Sequence, residues 1–226
     1  MQTVLVTGAN GFVGGWCIVA LLERGYAVRA TLRSLSREPA VRAAVAPASD
    51  ATGRLSFRAA DLTKDDGWDE AVAGCDHVLH VASPLGTAGD PDAFVAPARD
   101  GTLRVLAAAT RAGVKRVVVT SAAAAARPRK GISDEMIWAD PSDPQFDAYR
   151  RSMILAERAA WDFKARAQGA HAPFVQSHGA VPVAVRAATA HDHAAAGHEE
   201  RAHDGESAPR AGLRTAPCAR DDRRQR

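Results

Sequence analysis

"VLVTGANGFVG", residues 4–14, decides how the rest of the chain is read. Val4 to Thr7 is a short apolar run of the kind that forms a buried strand. From Phe12 the apolar spacing turns helical and stops at Gly25. Between them Gly8, Gly11 and Gly14 form G-x-x-G-x-x-G, with Asn10 and Phe12 in the same turn. Glycines there let the backbone approach a pyrophosphate. The helix N-terminus adds free N–H groups and the positive end of its dipole. A glycine-rich turn ahead of an amphipathic helix is the plainer alternative.

The next 110 residues weigh against that alternative. Short apolar runs at 27–32, 54–59, 76–82 and 115–122 read as strands. Helical patterns lie between them at 38–46, 68–73 and 92–112. Apolar runs joined by helices argue for a parallel sheet with crossover helices. The expected class is therefore α/β, a Rossmann-type doubly wound parallel sheet. The domain is expected to span 1–168, with a proline- and charge-rich loop at 127–147 and a helix from Tyr149 to about Gln168.

Ligands in such sheets bind at the carboxyl ends of the strands, so those ends hold the candidate binding residues. An acidic residue after the second strand would accept a bond from an adenosine ribose and repel a 2′-phosphate. This chain has Arg33 and Ser34 there, and an arginine can pair with that phosphate. NADP is therefore expected over NAD. Asp61 and Leu62 follow the third strand, either facing the adenine or capping a turn. Val81, Ala82 and Ser83 follow the fourth strand and can line a ribose. Thr120 and Ser121 end the fifth strand on the same edge.

Composition narrows the class further. Hydrophobic residues make up 46% of 226, enough for a globular core, and no run reaches the roughly 18 apolar residues of a membrane span. The start of the chain has no basic leader, so a cytoplasmic protein is expected. Net charge is only +3, which gives little reason to expect nucleic acid as a partner. Cys17, Cys75 and Cys218 are odd in number and far apart, suggesting neither disulfides nor a zinc site.

The character changes after about residue 165. That stretch holds six of the eight histidines and nine arginines, but no lysine, isoleucine or methionine. No period of 2 or 3.6 persists, and large apolar residues are few. Such a segment buries too little apolar surface to offset the entropy of ordering it. Residues 169–226 are expected to be a disordered tail. His191, His193 and His198 have no scaffold there, and no metal site is expected. Alanine, arginine, histidine and proline without periodicity is also what a shifted frame of GC-rich DNA encodes. If the frame is lost near 165–175, another frame of the gene resumes a strand and helix pattern past that codon. A gene with no such pattern in either frame excludes the idea.

Taken together, VLVTGANGFVG, YAVRATLRS, DHVLHVASP, GTLRVLAAA, KRVVVTSA and Y-x-x-S before LAERAAWDF resemble the extended short-chain dehydrogenase/reductase family. Within it the chain is most similar to the dihydroflavonol reductase and cinnamoyl-CoA reductase branch of the NAD-dependent epimerase/dehydratase proteins. The resemblance covers about residues 1–165. It implies reduction of a ketone or aldehyde, with hydride from NADPH and a proton from a tyrosine matching Tyr149. A serine polarises the same carbonyl. A lysine four residues after the tyrosine shares its helix face, holds the nicotinamide ribose and makes the tyrosine more acidic. The family also continues into a sixth strand and a small substrate domain, and its members often dimerise.

Two of those catalytic positions differ here. Met153 stands where the lysine is expected and Ala122 where the serine is expected. Ser121 is one residue away and, on a strand end, faces the other side. Arg150 and Arg151 follow Tyr149 too closely to share its face. Three readings stay open: a reductase, a non-catalytic NADP(H) binder, and a decayed product that folds poorly.

Overall fold

The computed structural model of the chain describes residues 1–84, 93, 95–126 and 137–167, and the backbone of 174–179. Strands β1 (Thr3–Val6), β2 (Ala27–Leu32), β3 (Leu55–Ala59), β4 (His77–His80), β5 (Arg116–Ser121) and β6 (Phe174–Gly179) form one sheet. Its order is β3-β2-β1-β4-β5-β6, and every pairing is parallel. Helices α1 (Phe12–Glu23), α2 (Glu38–Val45), α3 (Trp68–Val72), α4 (Val95–Arg111) and α5 (Ala148–Arg166) complete the framework.

Alternation along the strands divides the core into two layers. Val4 and Val6 of β1 face one side, with Ile18 and Leu22 of α1 and Val41 and Val45 of α2. Leu5 faces the other, with Trp68, Val72, Val105, Leu106 and Ala160. The same split separates Leu79 from Val78 on β4, and Val118 from Val117 and Val119 on β5. Both faces of each inner strand are therefore apolar, which explains the unbroken runs VLV and VVV in the sequence. Full burial of a side chain such as Ile18 or Leu22 contributes roughly 1.5–3 kcal/mol.

The expected strands and helices are present, with ends shifted by a few residues at most. One expectation is corrected. The sequence loses its periodicity after about 165, yet β6 forms beside β5, with Arg116 opposite Phe174 and Ser121 opposite Gly179. FVQSHG has two adjacent apolar residues followed by polar ones and a glycine, so it alternates in neither register. Backbone pairing to β5 makes it a strand; its own pattern does not. The expected disorder of the rest of the tail, and His191, His193 and His198, fall outside the described residues.

Helix α5 starts one residue before Tyr149. The Asp147 carboxylate caps it by accepting a 2.7 Å bond from the Arg150 N–H. Cys17 and Cys75 are buried and free, and burial pushes the Cys17 thiol up to about 11. Among the described residues no helix is long and apolar enough to cross a membrane. Nor is there, among them, any cluster of three or more His, Cys, Asp or Glu placed to hold a metal.

Candidate active site

Strand order reverses between β1 and β4. The chain leaves β1 toward β2 and β3, and returns through β4 toward β5. The crevice at the carboxyl ends of these two strands is where such sheets take ligands. A cavity of about 540 Å³ lies there.

The glycine loop forms its floor. Gly8 has φ +74°, and a Cβ on it would lie 2.9 Å from the Ala82 Cα. Gly14 lies in the first turn of α1, where a Cβ would come within 2.3 Å of the Gly8 carbonyl oxygen. Loop, helix and the segment after β4 are thus in backbone contact, which only glycine at these two places allows. No side chain caps the start of α1, so its first amides are open to a ligand. Asn10, Gly11, Phe12 and Val13 border the same cavity, and Phe12 is 83% exposed.

Each further strand end adds a predicted residue. Arg33 lines the cavity after β2, and Asp61 and Leu62 line it after β3. The turn-capping reading of Asp61 is the one observed. The residue borders the cavity and also caps a turn, accepting bonds from the Thr63 N–H at 2.9 Å and hydroxyl at 2.8 Å. Those bonds, the backbone one first, hold its carboxyl below the usual range. Val81, Ala82 and Ser83 line the cavity after β4, Thr120 at the end of β5, and Tyr149 and Met153 from α5.

Three predicted positions stand apart. Ser34 is exposed and caps a 3-10 turn at Leu35–Arg37. Ser121 is buried and turned away, its hydroxyl donating to Glu157 Oε2 at 2.5 Å. Ala122 follows β5 directly and is not among the residues lining the cavity. Met153 is buried, and its sulfur accepts a 3.2 Å hydrogen bond from the Ser83 hydroxyl.

Sequence reasoning missed Thr31, Thr63, Trp68 and Pro97, which also line the cavity. Trp68 carries a detectable signal, as the one large apolar residue at the start of its helix. Its indole N–H donates to the Asp61 and Lys64 carbonyls, at 3.2 and 3.1 Å, and so fixes the turn bearing Asp61 and Leu62.

His80, at the end of β4, is fully buried and hydrogen-bonded at both ring nitrogens. Nδ1 meets the Thr7 hydroxyl at 2.8 Å and Nε2 the Thr102 hydroxyl at 3.2 Å. Burial lowers its pKa from 6.5 to about 4. Between those values the unfolded chain binds a proton that the folded chain does not. The stability this adds is complete above about pH 6.5 and is lost as pH falls toward 4, a change of about 3 kcal/mol. Urea unfolding across that window is expected to show the slope in the parent and a flatter one in His80→Gln. Equal slopes in two cooperatively folded proteins would refute it.

The sequence model of the NAD dependent epimerase/dehydratase family matches residues 4–177. The chain belongs to that family. The match takes in every residue of the cavity and runs into β6. Among family relatives, cinnamoyl-CoA reductase 1 of Petunia hybrida is 39% identical over 171 residues, covering 71% of this chain and 49% of the relative. Dihydroflavonol 4-reductase of Arabidopsis thaliana is 38% identical over 176 residues, covering 72% and 45%. The chain thus spans about half the length of the curated relatives it matches. Among solved structures, yeast methylglyoxal/isovaleraldehyde reductase complexed with NADPH superposes with a TM-score of 0.70 at 27% identity, over 79% of this chain and 57% of that one. Vestitone reductase from alfalfa gives 0.65 at 31% identity, over 78% and 56%. These likenesses bear out the reductase-branch resemblance and the Rossmann-type fold.

Proposed function

We propose that this chain binds NADP(H) in the cavity at the ends of β1 and β4, and that carbonyl reduction there is slow. The observation carrying the proposal is the reach of that one cavity. Its lining runs from Asp61 after β3 to Thr120 on β5, four strand spacings or about 19 Å apart, with the glycine loop in the middle. An elongated ligand with a central pyrophosphate suits it. Arg33 offers a guanidinium on the adenosine side, where a 2′-phosphate would pair with it.

NADPH, when bound, supplies hydride to the carbonyl carbon. Tyr149, which lines the opposite side of the cavity, would give its hydroxyl proton to the carbonyl oxygen. Met153 can neither hold a ribose hydroxyl through an N–H nor favour proton loss from Tyr149. Ala122 has no hydroxyl to polarise a carbonyl. The bond from Ser83 to the Met153 sulfur favours a second reading, a protein that holds the dinucleotide without turnover.

Titration with NADPH and NADH, followed by tryptophan fluorescence, tests the proposal, since Trp68 lines the cavity. Saturable binding is expected, tighter for NADPH by about tenfold. Arg33→Ser is expected to bring the two cofactors level. No saturable change up to millimolar NADPH would end this reading. Assays on small aldehydes then separate slow enzyme from binder.

A further inference from the structure

The bonds around His80 have only one consistent direction. The Thr7 hydroxyl oxygen accepts from the Val81 and Ala82 N–H groups, each at 3.0 Å. Both of its lone pairs are then used, so its one proton goes to His80 Nδ1 at 2.8 Å. The neutral ring therefore carries its proton on Nε2, which donates to Thr102 Oγ1 at 3.2 Å. Thr102 passes its own proton to the Ala98 carbonyl at 2.8 Å. Every polar group in this buried chain is satisfied, and reversing either ring bond sets donor against donor or acceptor against acceptor.

The chain ends at the cavity wall. Val81 and Ala82 follow β4 and line the cavity, and Ala82 is the residue against which Gly8 is wedged. At the other end Ala98 lies next to Pro97 of α4, which borders the same cavity. We propose that Thr7, His80 and Thr102 are positioning residues. They fix the Val81–Ala82 wall against the glycine loop and tie it to α4, so that the cavity is shaped before the dinucleotide enters. The inference rests on the reading of this cavity as a dinucleotide site.

Three measurements on the full chain test it. Nitrogen NMR of the His80 ring is expected to show Nε2 protonated and Nδ1 bare. Amide exchange at Val81 and Ala82 is expected to be slow in the parent, about tenfold faster in Thr102→Val, and slow again in Thr102→Ser. NADPH affinity is expected to fall about tenfold in Thr102→Val and to return in Thr102→Ser. Val114→Ala, a core change at the opposite end of the sheet, is expected to lower stability with affinity kept, which separates positioning from general weakening. A proton on Nδ1 overturns the proposal. So does a folded Thr102→Val with parental exchange and affinity. If the parent binds no NADPH, the dinucleotide reading fails by itself, and the ring and amide measurements still decide whether the wall is held this way.

Discussion

Gly14→Ala is expected to weaken NADPH binding by about a hundredfold. Two effects oppose each other at this position. Alanine is the better helix former by about 1 kcal/mol, so a glycine in α1 would ordinarily gain from the change. Here the new Cβ would stand 2.3 Å from the Gly8 oxygen and 3.0 Å from its carbonyl carbon. Neither is a side chain that can swing away. The loop cannot retreat as a unit either, because Gly8 is itself against Ala82. The backbone must move by about an ångström. Overpacking of this kind costs up to about 3 kcal/mol, and misplacing a binding group by that distance can cost about a hundredfold. Gly15→Ala is the control. Nothing lies within 4 Å of its added Cβ, so affinity is expected to persist with a helix slightly more stable. A Gly14→Ala protein that binds like the parent would remove the glycine loop from the site.

The second large effect is a gain. Ala122→Ser with Met153→Lys is expected to raise reduction of small aldehydes by about 10²- to 10⁴-fold, the usual reach of positioned acid–base groups. Position 153 is four residues from Tyr149 on α5, on the same face, and both line the cavity. A lysine there places a cation beside the tyrosine and a donor toward the ribose. The serine restores a hydroxyl after β5. Adding Tyr149→Phe to the double variant is expected to remove the gain, which assigns it to proton transfer. Small aldehydes suit the assay because they ask little of a substrate pocket. If the double variant folds, binds NADPH and turns over no faster than the parent, Tyr149 is not the proton donor.

Most of this site was legible because its chemistry is local. Residues 4–14 carry strand, glycines and helix in one run, and Arg33, Asp61, Ala82 and Thr120 each sit at a readable strand end. What stayed hidden depends on distant partners. Thr31 and Pro97 look like ordinary strand and helix residues until the sheet closes. His80 reads as a polar interruption in HVLH, and its meaning lies in two threonines, one 73 residues before it and one 22 after. Asp61 left two alternatives in the sequence, and its carboxylate caps the turn while bordering the cavity. β6 was missed because it borrows its order from β5.

The strand order also has a kinetic meaning. β1 and β4 are neighbours in space, yet Val4 pairs with His77 across more than seventy residues of chain. The glycine loop can form with β1 and α1 alone, but its wall at Ala82 arrives only with β4. Contacts so distant along the chain are slow to close. During refolding, helix signal should therefore recover before the chain regains a dinucleotide site. The interval between the two reports how long β4 takes to find its place.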